Sequence, residues 1–131
     1  MNRFPPVWKR LALLGALALG LGGCFTRTGP GRDPDADVVT LSIVNHNTLD
    51  VVIYAVNGSS RRRIGSVIGS TSDHFKVHIN QAGSMGDLQF YADPIGARRG
   101  VTSDVMHVQP GQTIEWTLET DLLRSMIAIR S

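Results

Sequence analysis

Cysteine is nearly missing from this chain. Cys24 stands alone among 131 residues, so no intramolecular disulfide can staple the fold. Aromatic residues make up only 6%, which leaves few rings for stacking nucleic-acid bases or sugars. Charge of one sign is also lacking: 13 Lys and Arg face 11 Asp and Glu. Arg3, Lys9 and Arg10 all precede Cys24, and without them 10 basic residues face 11 acidic ones. The basicity therefore belongs to the leader, and overall charge gives no footprint for nucleic acid. The apolar run Leu11 to Gly23 is 13 residues, short of the roughly 20 that a membrane-spanning helix needs. A Gly-rich phosphate loop and a nucleophile elbow are absent as well. The length is that of one small domain rather than two.

What is present begins with the leader. Its first ten residues carry three positive and no negative charges, and the uninterrupted Leu, Ala and Gly run follows. This is the charged start and apolar middle of an export signal. Leu21-Gly22-Gly23-Cys24 then resembles the lipobox of bacterial lipoproteins. The resemblance implies a diacylglyceryl group on the Cys24 thiol, cleavage before Cys24 and acylation of the new amino terminus. Each buried methylene contributes about 0.8 kcal/mol, so three chains anchor essentially irreversibly where one is marginal. Phe25, not Asp, follows the cysteine, which in such lipoproteins implies the periplasmic face of an outer membrane.

Three stretches follow from this reading: a signal peptide at 1–23, a lipidated Cys24 with a flexible tether at 24–37, and a domain at 38–131. The tether segment Thr26 to Asp37, TRTGPGRDPDAD, has too little apolar surface to offset ordering. Asp33, Asp35 and Asp37 have the spacing of a calcium-loop opening. Pro34 interrupts it, Val38 stands where the loop requires Gly, and the bidentate Glu is missing, so a solvated linker is expected.

From Val38 the pattern has period two. Phe75, Val77 and Ile79 alternate with His74, Lys76 and His78, and Ile114, Trp116 and Leu118 alternate with Thr113, Glu115, Thr117 and Glu119. Such runs are half-buried strands. Leu41 and Ile43, then Leu88, Phe90 and Ala92, repeat the pattern, while Val51 to Val56 is apolar on both faces and suits a central strand. Turn chemistry at Asn57-Gly58, Gly69-Ser70, Gly83 to Gly86, Asp93 to Gly96 and Pro110-Gly111 punctuates the strands. The fold class is all-β: an antiparallel, immunoglobulin-like β-sandwich of seven or eight strands. The segments 44–56, 61–67, 92–96 and 108–118 (VNHNTLDVVIYAV, RRRIGSV, ADPIG, VQPGQTIEWTL) resemble a group of small bacterial lipoproteins with a sandwich domain. That resemblance implies a fold and a location, not a reaction.

Chemistry-bearing residues are scattered. His74 and His78 are four apart, but on a strand their backbones lie about 13 Å apart, too far to share one metal. A blue-copper centre needs a Cys thiolate, and Cys24 is committed to lipid. A copper or zinc surface built from His46, His74, His78, His107, Met85 and Met106 is the alternative reading, as a small-ligand or metal-binding lipoprotein of the envelope. Glu115 and Glu119 share one outward face about 13 Å apart, wider than paired glycosidase carboxylates, and no enzymatic activity is expected. Tyr54 and Tyr91 are thin candidates for a sugar platform. Arg61-Arg62-Arg63 is the densest charge cluster. It is the candidate interaction surface, suited to lipid phosphates or an acidic partner, or else to a charged strand edge that blocks aggregation. The first expectation is a membrane-anchored, non-catalytic interaction or envelope-structural module. Its partners are membrane lipid through Cys24 and an envelope protein; it uses neither cofactor nor nucleic acid.

Overall fold

A computed structural model describes residues 31, 33–82 and 86–131. The leader, Cys24, the first part of the tether and Met85 lie outside the described residues.

Nine strands fill the described chain: β1 (Val38–Asn45), β2 (Val51–Asn57), β3 (Ser60–Val67), β4 (Ser72–His78), β5 (Asp87–Pro94), β6 (Val101–Thr102), β7 (Met106–His107), β8 (Thr113–Leu118) and β9 (Met126–Arg130). One sheet has the order β4-β1-β8-β9; the other has β3-β2-β5-β6, with β7 also pairing with β5. The all-β sandwich expected from the alternation is what forms. β6 and β7 are two residues each, too short for a period-two signal, which is why the sequence shows seven or eight strands.

One pairing departs from the antiparallel expectation. β1 runs parallel to β8, with Leu41 opposite Ile114 and Ile43 opposite Trp116. Period two reports which face a residue lies on, not the direction of its neighbour, so the pattern was silent on this point. The register places the fully buried Leu41, Ile43, Ile114, Trp116 and Leu118 on one inner face. Val51, Ile53, Leu88, Phe90 and Ala92 supply the facing layer. Phe90 and Trp116 meet between the sheets with ring centroids 6.2 Å apart. Burying each large side chain contributes about 1.5–3 kcal/mol.

β2 lies between β3 and β5, as its two apolar faces require. Ile79 corrects a smaller expectation. It is buried, but it opens the short helical turn Ile79–Ala82 rather than closing β4. Its N–H donates to the Asp37 carbonyl at 2.9 Å, one step beyond the Val38–His78 pair, and the chain then turns away from the sheet.

The strand directions give the sandwich two distinct ends. β1 and β8 start at one end, and β2 finishes there. The chain enters the sandwich at Val38, so this is the entry end. The opposite, distal end carries four connections, at 46–50, 68–71, 95–100 and 119–125.

Candidate functional site

The distal loops are tied together by side chains. Asn45, at the last position of β1, is only 1% exposed. Its amide nitrogen donates toward the carbonyls of Leu49 (3.0 Å), Ile68 (3.2 Å) and Val67 (3.4 Å). Two N–H groups thus serve three carbonyls, and Val67 is the weakest partner. The Asn45 side-chain oxygen accepts from the Asn47 N–H at 3.0 Å. Asn47 repeats the motif: its oxygen accepts from the Leu49 N–H and its amide donates to the Thr120 carbonyl at 3.1 Å. Asp50 accepts from the Gly69 N–H at 2.9 Å, and its own carbonyl takes the Ile95 N–H at 2.8 Å. One short loop therefore holds the other three. Among the described residues no buried side-chain polar atom lacks a partner, so the network is fully satisfied and rigid.

On that frame four apolar side chains stand in solvent: Leu49, Ile68, Ile95 and Leu123. Each belongs to a different distal loop. A hollow of about 300 Å³ lies beside Leu123, bounded by Asn47, Pro94, Arg99, Thr120 and Leu122. A rigid rim bearing exposed apolar tips is suited to a protein partner, since its ordering cost is already met within the fold.

The arginine cluster divides. Arg61 and Arg63 lie opposite Val56 and Tyr54 on the outer face of their sheet, while Arg62 lies opposite Ala55. The Arg61 guanidinium sits 4.0 Å over the Tyr91 ring, and Tyr91 is 6.3 Å from Tyr54. The two tyrosines are half-buried and share one outer face with Arg61, in a cation–π arrangement. Arg62 lines a different feature, a cleft of about 140 Å³ between the edges of β3 and β4, which Arg63, Lys76 and His78 also border. All three arginines are exposed and occupy the half of β3 nearer the entry end.

The histidines do not converge. His74 and His78 lie on β4, opposite Ser42 and Val38. His46 meets Glu119 at 3.3 Å at the distal end, and His107 meets Asp87 at 2.9 Å on β5–β7. Glu115 holds Arg130 at 2.7 Å, so the two glutamates have separate partners. Among the described residues no three His, Cys, Asp or Glu side chains gather as a metal cage. Met106 is buried and His107 exposed, so their side chains part to opposite faces. Asp35 and Lys76 form an exposed pair at 3.3 Å, and Asp37 accepts from the Asn80 side chain. Asp35 and Asp37 thus reach the domain, while the Asp33 side chain accepts from the Asp35 N–H at 3.0 Å.

Sequence reasoning missed the asparagine network. The Asn-x-Asn-x-x-Asp spacing at 45–50 was its available signal, since Asn and Asp readily hydrogen-bond backbone groups two residues on.

Among the described residues no helix is long and apolar enough to cross a membrane. The chain matches no family model and no curated protein. It is similar to an NMR structure of a protein from Eubacterium rectale, at 13% identity and a TM-score of 0.47, over 77% of this chain and 96% of that one.

Proposed function

We propose that this protein is a lipid-anchored module of the bacterial cell envelope, held through Cys24 and presenting its distal loops to an envelope protein. The single observation that carries this reading is the polarity of the sandwich. The chain enters at Val38, while Leu49, Ile68, Ile95 and Leu123 stand exposed at the other end on loops held by Asn45, Asn47 and Asp50. A tether at one end and a rigid apolar rim at the other is the layout of a displayed binding domain.

The lipobox Leu21-Gly22-Gly23-Cys24 supports the anchor, and Phe25 supports the periplasmic face of an outer membrane. Arg61, Arg62 and Arg63 lie toward the entry end, where anionic headgroups would be within reach. Each basic residue near such a surface contributes about 1 kcal/mol. The module binds without catalysing.

Intact mass and membrane fractionation of wild type and Cys24→Ala test the anchor. The expected result is loss of residues 1–23, gain of acyl mass and membrane partitioning in wild type alone; a soluble, unmodified wild-type chain would sink the reading. A photo-crosslinker at Ile95 tests the distal end. It should capture one reproducible envelope protein, and a crosslinker at Arg61 should not.

A further inference from the structure

Both sheets end in exposed edges, and the edges are not alike. β3 opens with Ser-Arg-Arg-Arg, and β4 carries Asp73, His74, Lys76 and His78. Charged residues on an edge discourage pairing with another chain. β6 is two residues long and offers almost no edge. β9 is different. It reads Met-Ile-Ala-Ile-Arg, pairs with β8 on one side only, and has four exposed positions out of five. Met126 is 69% exposed and Ile129 38%. Its one charge, Arg130, is at the end and engaged with Glu115. Beside β9 a groove of about 650 Å³ opens between the sheets, floored by Trp116 and bordered by Val101, Leu123, Met126 and Ile127.

The β9 sequence also names its occupant. Met126-Ile127-Ala128-Ile129-Arg130 is nearly a palindrome about Ala128. When two copies pair antiparallel with Ala128 facing Ala128, Ile127 of each faces Ile129 of the other. Both isoleucines lie on the inward side, opposite Trp116 and Ile114 of their own β8. Met126 then faces Arg130, so no like charges oppose each other. A two-fold contact demands such self-complementarity, and cross-strand apolar pairs are its natural cement.

We infer that β9 is a homodimerisation edge: two copies of this chain join β9 to β9 antiparallel about Ala128, making one continuous eight-stranded sheet and closing the mouth of each groove. This interface lies along the flank of the sandwich, goes beyond the anchored reading, and does not depend on lipid at Cys24.

Cysteine crosslinking of the full chain in detergent, in a Cys24→Ala background, tests it. At the two-fold, paired Cα atoms are about 4.5–5.5 Å apart, within disulfide reach. Ala128→Cys should therefore oxidise to a covalent dimer. Met126→Cys should stay monomeric, because its own copy lies about 13 Å along the partner strand. Equal crosslinking of the two variants, or none at either, overturns the proposal. Sedimentation gives the second readout. Ala128→Lys should weaken the dimer more than about tenfold by setting like charges face to face, and mixing it with Ala128→Glu should restore a heterodimer. A wild-type chain that sediments as a monomer at 100-fold dilution and at high concentration alike, or an unchanged Ala128→Lys dimer, overturns it.

Discussion

The two ends of this sandwich are closed by different means. At the entry end, reversals rest on the backbone: Gly58 (φ +58°) turns β2 into β3, and Gly111 (φ +84°) precedes β8. At the distal end no two-residue turn exists. The loops there also include left-handed positions, Ser70 (φ +60°) and Gly96 (φ +90°), but they hang from Asn45, Asn47 and Asp50. A backbone turn is a local device and fails locally, whereas a side-chain hub fails for every loop it serves.

This difference is measurable. Asn45→Ala should have the largest effect, about 4 kcal/mol, because it strands carbonyls in two loops and the Asn47 N–H together. Urea unfolding would show it, and a loss below about 1 kcal/mol would remove the hub from the argument. Gly69→Ala comes next. Its Cβ would overlap the Thr48 carbonyl, whose carbon would be only 2.6 Å away, and backbone on both sides cannot retreat; about 3 kcal/mol is expected from the same titration. Gly58→Ala is the entry-end counterpart. Its Cβ meets open space, so only the left-handed φ resists, at about 1 kcal/mol. Amide exchange should register the loss only between β2 and β3, whereas Asn45→Ala should speed exchange across 46–50 and 68–71. The smallest effect belongs to Glu119→Gln. Its pair with His46 is largely exposed, and exposed pairs contribute about 0–1 kcal/mol; a larger shift in midpoint would make the pair part of the hub.

The same contrast explains how much of the molecule was legible in the sequence. Gly58 follows Asn57, and that dipeptide is itself a turn signal. The inward sides of β5 and β8 are likewise written in the alternation of Leu88, Phe90 and Ala92 and of Ile114, Trp116 and Leu118. What alternation cannot record is the identity of a neighbouring strand. Ile43 meets Trp116 through a parallel pair, and no local feature of either segment announces it. Nor does any local feature join Asn47 to Thr120 or His46 to Glu119, since each contact spans 73 residues. The arginine triplet was visible as a cluster, but its separation into Arg61 above Tyr91 and Arg62 at the β3–β4 cleft needed the register. Ile79 shows a short-range failure: its apolar periodicity was right, while the helical turn that begins at Ile79 ended the strand one residue earlier.

The parallel β1–β8 pair also sets an order of events. β1 is the first strand among the described residues, and its inner partner arrives only with Thr113 to Leu118. Until then β1 has only β4 beside it, and Leu41, Ile43 and Val39 lack half of their cover. Contacts of such long range slow folding, because the loop must close before the pairing rewards it. A chain emerging amino end first therefore cannot complete its first sheet midway. That sheet closes only once Thr113 to Leu118 can pair with β1.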